Sequence, residues 1–521
     1  MSVGLVSLLL APLAGAGLTL ALPGRHRAAA GGSVAVLVAV ATLALAREVL
    51  AIGEAVRLVL PGPAGVEIAL VADGLAVALL VMAAVVVAAV ALFAVAEDLR
   101  VPERRHAAYW PLLFVLWAGL TALFLAGDLL TTYLMLELVA LCGALLVTLR
   151  GDRASLLAGT RYFYAELAAS TTMLLGIALV WSAAGTVTYE GLGTALAGDP
   201  VGTVGLAVVT AGLLVKVPLA PLHFWLPAAH TFAPSAVSPV LSGVMVKGAL
   251  AVVLRLWFLG APEALTPAAA QLLGALGAVA IVWGSVSALR ASGLKRLIAF
   301  STVAQLGIVF LLPPLVHAGE VDGWTGGVVL AVTHAVAKAA MLLAAAVIVD
   351  SARRAKAPTV QVGAPHRRER PAGTPPGRER LAGTPRTAPA GEPSWPVLDQ
   401  LRGSVARRPV AVMAFGVAGL SLVGLPPTGG FVAKWYLLLA SVASGQWWWV
   451  AVLVGGTLLT VGYLMRFVRP AFAPPPEGEV MAQRDARDVV ALALAGVTLL
   501  VGVRPQPLLD LLLIGAPVVG G

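Results

Sequence analysis

The chain has 521 residues, of which 59% are hydrophobic and only 12% are charged, and its mean hydropathy is +0.93. This composition excludes an ordinary soluble domain and is typical of a membrane protein with many spans. The formal net charge of +9 does not indicate nucleic-acid binding, because one stretch, residues 351–408, holds 12 lysines and arginines against 4 acidic residues.

A transmembrane helix needs about 20 consecutive apolar residues. On that measure we predict an all-α polytopic membrane protein with about 14 transmembrane helices. The predicted spans are approximately residues 3–22, 34–53, 73–96, 109–127, 129–149, 158–182, 201–226, 234–258, 266–289, 296–315, 325–349, 409–440, 447–468 and 488–503.

The distribution of lysine and arginine predicts the orientation, because these residues accumulate in cytoplasmic connections. Connections after odd-numbered spans hold 27 of the 35 lysines and arginines, and connections after even-numbered spans hold three. We therefore predict a multi-pass protein of the cell (inner) membrane, with both termini outside and residues 351–408 in the cytoplasm. This Pro-, Gly- and Arg-rich insert is predicted to be disordered. Contact with anionic lipid headgroups is the alternative.

Two predicted spans are interrupted by prolines. Span seven breaks just after Lys216, where Pro218 and Pro221 each remove a backbone donor, and span twelve breaks at GLPPTGG, residues 424–430, shortly before Lys434. Non-helical backbone at membrane depth survives only where it lines a cavity or is buried in protein. Two interrupted spans five helices apart indicate two inverted five-helix repeats with a transport site at their interface.

This interpretation divides the chain into four parts. They are residues 1–108 with helices 1–3, residues 109–258 with the first repeat (helices 4–8), residues 266–468 with the second repeat (helices 9–13) and the basic insert, and residues 469–521 with the C-terminal helix and tail.

Few ionisable residues lie at membrane depth, where each charge costs roughly 2.5–3.5 kcal/mol on insertion scales. The candidates for proton translocation are Glu137, Lys216, Lys247, His334, Lys338 and Lys434. Possible accessory residues are Glu166, His223 and His230. His334 and Lys338 are four residues apart, so they lie on one face of a helix.

These residue types suit a proton relay. Burial disfavours the charged form of a lysine, and a nearby carboxylate restores it, so moving the carboxylate switches the lysine. Glu137 beside Lys216 is the expected switching pair. The relay is then expected to continue, bridged by water, through Lys247, His334 and Lys338 to Lys434.

Structural interpretations of the same residues stay open. Lys247 and Lys338 can be explained as buried pairs with Glu166, Glu137 as the partner of a structural arginine, and the histidines as donors to carbonyls that the break in span seven leaves free. Arg255 is expected to extend its charge outward, and Asp128 is expected to cap a helix.

Several stretches resemble the proton-conducting antiporter-like membrane subunits of respiratory complex I, membrane-bound hydrogenases and Mrp-type multisubunit Na+/H+ antiporters. The stretches are LELVALCGALL around Glu137, VKVPLAPLHFWLPAAHTFAPSAVSPVLSGVMVKG with Lys216 and Lys247, LKRLIAFSTVAQLG, THAVAKAAMLL with His334 and Lys338, and GLPPTGGFVAKW with Lys434. The resemblance implies broken helices seven and twelve and a hydrated axis on which these six residues take the family's charged positions. The length and the QPLLDLLL tail are similar to the D-type Mrp subunit.

The function that the resemblance implies is proton translocation in a Na+/H+ antiporter complex, alongside other membrane subunits that include a homologous one. The alternatives are a redox-driven proton-pumping subunit of complex I or a hydrogenase, and a partner subunit for inorganic-carbon uptake. A structural scaffold is disfavoured, because six buried charges without a role would each cost stability. No phosphate-binding glycine pattern, zinc-ligand spacing or nucleophile–base signature stands out, so no cofactor, metal or enzymatic activity is expected.

Overall fold

The computed structural model describes residues 2–61, 67–97, 103–196, 198–356, 398–475 and 485–517. Within these residues, twelve helices are long and apolar enough to cross a membrane. The prediction of an all-α polytopic membrane protein is therefore confirmed. The two inverted repeats, the division into four parts and the exact number of crossings stay predictions. The disorder predicted for the basic insert concerns mainly residues 357–397, which lie outside the described residues.

The helices agree closely with the predicted spans. Those before residue 261 are α1 (Ser2–Ala21), α2 (Gly24–Ile52), α3 (Gly74–Glu97), α4 (Glu103–Leu125), α5 (Leu129–Thr148), α6 (Arg153–Ala184), α7 (Tyr189–Ala195), α8 (Pro200–Lys216), α9 (Leu226–Phe232), α10 (Ser238–Val240) and α11 (Val246–Arg255). A π-helical segment, Leu241–Met245, joins α10 to α11, and a second one, Leu256–Gly260, extends α11, so that Ser238–Gly260 is one continuous helix.

The helices after residue 261 are α12 (Pro267–Arg290), α13 (Leu294–Val309), α14 (Leu312–His317), α15 (Val321–Lys356), α16 (Ser404–Arg407), α17 (Pro409–Val423), α18 (Gly429–Ala443), α19 (Trp447–Phe472), α20 (Ala486–Val503) and α21 (Gln506–Leu513). Short 3-10 turns lie at Pro262–Ala264 and Leu398–Leu401.

Side-chain caps set several helix starts. The Asp128 carboxylate accepts a hydrogen bond from the Thr131 amide at 2.7 Å and begins α5, which confirms the cap predicted for Asp128. Asp199 begins α8 in the same way through the Gly202 amide at 2.7 Å. Such caps satisfy amides that a helix start leaves without partners.

A small antiparallel sheet was not predicted. Strand β1 (Val56–Pro61) pairs with β2 (Glu67–Ala72), with Val56 opposite Ala72, in the connection between α2 and α3. Each strand has only six residues, which is too few to cross a membrane. A search for apolar runs of about 20 residues therefore assigns this segment to a connection.

Both predicted helix breaks are present. The first runs between α8, which ends at Lys216, and α9, and the second lies between α17 and α18. At the second break Gly424 adopts a φ of 84°, which a side chain would strain, and a Cβ at this residue would lie 2.7 Å from the Lys434 side chain. Glycine is therefore required there both by the turn and by the approach of the lysine.

The bundle has a buried centre and an apolar exterior. Helices α13 and α15 are buried along their apolar lengths and Ser238–Gly260 nearly so, whereas only a third of the corresponding stretches of α1, α2 and α6 is buried. The central helices carry Lys247, His334 and Lys338, so the fold places these residues away from lipid.

Buried ion pairs hold the ends of the bundle. At one end, Arg255 pairs with Asp73 at 2.9 Å and is 7% exposed, so the prediction that it extends its charge outward is wrong. Asp73 itself comes just before α3, and its carboxylate accepts from the Ala76 amide. At the basic end, Arg487 on α20 contacts Asp350 at 2.9 Å and Asp485 at 2.7 Å.

Candidate functional site

The first cluster of candidate residues lies where α8 ends. The Lys216 ammonium is 2.9 Å from a Glu166 carboxylate oxygen, 3.4 Å from a Glu137 carboxylate oxygen and 2.9 Å from the Ser170 hydroxyl. Ser170 also donates to Glu137, and its oxygen lies 2.8 Å from the Glu166 carbonyl. Two carboxylates therefore share one ammonium, and the Ser170 hydroxyl contacts both the ammonium and the Glu137 carboxylate.

The two carboxylates differ in exposure. The side chain of Glu166 is 7% exposed and that of Lys216 only 3%, but a third of the Glu137 side chain is exposed. A buried charge without a partner destabilises a protein, so Glu166 is the counter-ion that keeps a charged Lys216 tolerable in the bundle. The structural alternative that pairs Glu166 with Lys247 and Lys338 is wrong.

A small cavity lies between Lys216 and α11, the helix that carries Lys247. Its volume is about 20 Å³, which is room for roughly one water molecule. Lys216, Glu166 and Tyr162 line one side, and Leu241 and Met245 of the first π-helical segment line the other. The π-helical segment therefore borders the space between Lys216 and the helix that carries Lys247.

Lys247 and His334 form the second cluster. The Lys247 ammonium is 2.8 Å from Nδ1 of His334 and 3.3 Å from the Ser242 carbonyl in the π-helical segment. A π-helical turn shifts the backbone hydrogen-bond pattern, and such turns are frequent at functional sites. No sequence pattern predicts this local geometry.

Lys338 and His334 lie on one face of α15, as their spacing predicts. The Lys338 ammonium donates to the Ile298 carbonyl at 2.8 Å and to the Ser301 hydroxyl, both on α13. His334 is 1% exposed, and within the described residues its Nε2 has no hydrogen-bond partner. The imidazole thus bonds to Lys247 on one side and keeps a free nitrogen on the other.

Lys434 occupies the second helix break. Its ammonium donates to the carbonyls of Leu422 and Val423 at 3.0 and 2.9 Å and to the Thr457 hydroxyl at 3.1 Å. These carbonyls end α17, where unpaired carbonyls and the helix dipole favour a positive charge. Lys434 is therefore both a buried ionisable group and the cap of a half-helix.

The lysines divide into two electrostatic types. Lys216 has two carboxylate partners. Across the described ranges no carboxylate forms an ion pair with Lys247, Lys338 or Lys434, whose partners are carbonyls, hydroxyls and an imidazole. A charge placed on any of these three lysines is therefore balanced only by dipoles.

The two accessory histidines lie apart from each other. His230 is 1% exposed, and neither ring nitrogen has a hydrogen-bond partner among the described residues, although Ser238 donates to its carbonyl at 3.2 Å. His223 packs against Trp283 and Phe300, with ring centroids 6.3 and 6.1 Å away. His223 thus faces α12 and α13 rather than the lysines.

Sequence reasoning missed several polar neighbours. Ser170 lies four residues after Glu166 on α6, so helical spacing could have placed the two on one face. Lys295 lies between the ninth and tenth predicted spans, yet it is 1% exposed and donates to the Ala233 carbonyl at 2.9 Å and to Ser238 at 3.0 Å. No pattern in the sequence indicates these contacts across the bundle.

Comparison with known proteins places this arrangement in a family context. The family model described as "NADH:quinone oxidoreductase/Mrp antiporter, TM" matches residues 126–360 and 394–460, which is more than half of the chain. The chain is 29% identical over 420 residues to NADH-quinone oxidoreductase subunit N of Desulforudis audaxviator, covering 79% of this chain and 74% of that protein. It is 30% identical over 427 residues to subunit N 2 of Solidesulfovibrio magneticus, covering 80% and 81%.

Solved structures share the whole fold. A chain of the Mrp complex from Dietzia sp. DQ12-45-1b superposes with a TM-score of 0.79 and 24% identity, covering 98% of this chain and 96% of that one. A chain of the membrane-bound sulfane sulfur reductase, an archaeal respiratory membrane complex, gives 0.82 and 24%, covering 99% and 97%.

Proposed function

The chain belongs to the NADH:quinone oxidoreductase/Mrp antiporter transmembrane family, and we propose that it translocates protons within a multisubunit membrane complex. The proposed relay is Glu137, Lys216, Lys247, His334, Lys338 and Lys434, with Glu166 as an accessory residue. The observation that carries the proposal is the Lys216 cluster, in which two carboxylates of unequal exposure hold one buried ammonium at a helix break.

The first half of the relay works as a switch. With both carboxylates ionised, Lys216 is held in its charged form. Protonation of the more exposed Glu137, or its movement away, leaves Glu166 alone against the lysine and makes transfer of the lysine proton easier. One water in the adjoining cavity brings that proton towards the π-helical segment and Lys247.

The second half of the relay passes the proton between groups without carboxylate partners. Lys247 and His334 share a direct hydrogen bond of 2.8 Å, so a proton can move between them without an intervening water. Lys338 is one helical turn from His334, and water is proposed to bridge onward to Lys434. Because these groups interact, they titrate as a set.

Ser170 is expected to join Glu137 to Lys216. A hydroxyl has one proton to donate, and Ser170 has two acceptors within reach, the Glu137 carboxylate and the Glu166 carbonyl. Replacing Ser170 with alanine is expected to reduce proton translocation about tenfold, because the substitution removes one charge-assisted hydrogen bond. Acidification of vesicles that contain the intact complex measures the effect.

Two further variants control this test. Ser170→Thr keeps the hydroxyl and is expected to retain most of the translocation. Thr171→Ala removes an exposed hydroxyl on the same helix, which bonds only to carbonyls of its own helix, and should have no effect. Equal rates for Ser170→Ala and Thr171→Ala would remove Ser170 from the relay.

We propose a redox-driven complex as the setting, because the two curated relatives are subunits of NADH-quinone oxidoreductases and align over about three quarters or more of their length. The cytoplasmic membrane, with both termini outside, is the proposed location. Sodium exchange, the function that the sequence resemblance favoured, is the second candidate, since the same fold serves in an Mrp complex. Fold similarity at 24% identity does not separate the two.

Purification of the native complex through a tag on this chain tests the setting. Iron–sulfur or dehydrogenase subunits in the mass spectrum, and donor-driven acidification of everted vesicles in sodium-free buffer, are expected. Co-purification of only small membrane subunits and a larger homologue, with collapse of the pH gradient on addition of NaCl, would instead establish cation exchange.

A further inference from the structure

A cavity on the membrane face of the bundle lies outside the proposed relay. It has a volume of about 560 Å³ and opens between α9, the end of α12 and the start of α13. We call it the α9–α12 cavity, and its lining includes His223, Phe224, Trp283, Ser292, Arg296 and Phe300. A volume of this size matches that of small-molecule sites.

The walls of the α9–α12 cavity combine aromatic rings with positive charge. Trp283 and Phe300 both approach the His223 ring edge-on. The Arg296 guanidinium lies 5.7 Å from the Phe300 ring centroid, a cation–π distance, and its side chain is exposed at the mouth. Among the described residues no carboxylate forms an ion pair with Arg296, so this charge is available to an anion.

His223 lacks a partner that its burial requires. The residue is 6% exposed, and its Nδ1 is buried with no hydrogen-bond partner in the described part of the chain. Buried polar atoms are nearly always hydrogen-bonded, and each exception needs an explanation. His223 lines the cavity, but this nitrogen has no exposed surface there, so the residue contributes its ring to the cavity wall.

An apolar groove continues from the cavity along α12. It has a similar volume of about 560 Å³ and is lined by Val279, Val282 and Val286. Trp283 and Ser287 border both the groove and the cavity, so the two spaces are continuous. Val279 and Val282 are more than half exposed at membrane depth, which suits contact with a hydrocarbon chain.

The position of the α9–α12 cavity in the membrane favours an occupant with negative charge. The cavity lies at the end of the bundle where Arg290, Lys295 and Arg296 cluster, the end that the lysine and arginine distribution predicts to be cytoplasmic. Anionic lipids give that leaflet a negative surface potential, and basic residues near it attract their headgroups.

We propose that the α9–α12 cavity binds one anionic phospholipid. Its phosphate pairs with Arg296 beside the His223 ring, and an acyl chain lies in the groove along α12. A polar cavity with a positive mouth, continuous with an apolar groove, fits an amphiphile better than a soluble anion. The proposal does not depend on proton translocation.

Photolabelling of the intact complex tests this site. The complex is reconstituted in phosphatidylethanolamine vesicles that contain phosphatidylglycerol with a diazirine in its acyl chain, and labelled peptides are identified by mass spectrometry. Labelling is expected in residues 278–300. Arg296→Gln should reduce this labelling about tenfold, as expected for loss of a charge-assisted contact, and Trp283→Ala should also reduce it.

Arg161→Gln is the matched control, because Arg161 is also an exposed arginine but lies on α6 and does not line the cavity. Unchanged labelling in this control supports the site. Three results would overturn the proposal: equal labelling of Arg296→Gln and the wild type, full competition by sodium phosphate, or protection of the cavity by a partner polypeptide in the assembled complex.

Discussion

Replacing Lys216 with methionine is expected to reduce proton translocation about a hundredfold or more, the range for loss of a proton-transferring group. Within the described structure, Lys216 forms ion pairs with both Glu137 and Glu166. Without it, a proton that reaches Glu137 has no neighbouring base from which to continue towards Lys247. Acidification of vesicles containing the assembled complex is the measurement.

The single substitution also leaves two carboxylates without their counter-ion, at a cost of about 3–5 kcal/mol in stability. The double variant Lys216→Met/Glu166→Gln separates this effect from transport, because it removes the buried acidic partner together with the lysine. It should assemble better than Lys216→Met and translocate no more protons. If it recovered translocation, Lys216 would be a structural residue.

Replacing Lys434 with arginine is expected to abolish translocation while leaving the fold intact. Lys434 caps the carbonyls of Leu422 and Val423, and arginine can supply these hydrogen bonds. Arginine, however, does not release its proton in proteins, so the second half of the relay would stop. The measurements are vesicle acidification and the thermal stability of the purified complex.

Lys434→Met is the comparison that separates proton transfer from helix capping. It removes the proton carrier and also leaves the end of α17 uncapped, so it should lose both translocation and stability. Wild-type translocation in Lys434→Arg would show that the side chain acts only as a helix cap.

The helix breaks and their lysines could be predicted from the sequence for a physical reason. Prolines after Lys216 and the Gly-Leu-Pro-Pro segment before Lys434 interrupt apolar runs in a way that lipid does not tolerate, so a buried polar site is implied. The four-residue spacing of His334 and Lys338 likewise predicted their common face. These signals are local, and the structure retains them.

The partners of the lysines, in contrast, cannot be predicted from local sequence patterns. Three pairings depend on contacts between segments that are distant in the chain. They are Lys216 with Glu166, Lys247 with His334, and Arg255 with Asp73. A single sequence gives the depth of a residue in the membrane but not its neighbour on another helix. The π-helical turn before Lys247, Leu241–Met245, is also hidden, because no residue type in it distinguishes a π-helical turn from a regular α-helical turn.

The number of protons that the purified complex delivers per turnover in liposomes is the most direct test of the proposed relay. A trapped pH-sensitive dye follows the delivery. The wild type and Lys216→Met are compared at equal assembly, with the driving substrate identified from the native complex. The proposed relay predicts that Lys216→Met delivers few or no protons through this subunit, so the ratio falls. An unchanged ratio at unchanged turnover would contradict it and place the proton path in another subunit.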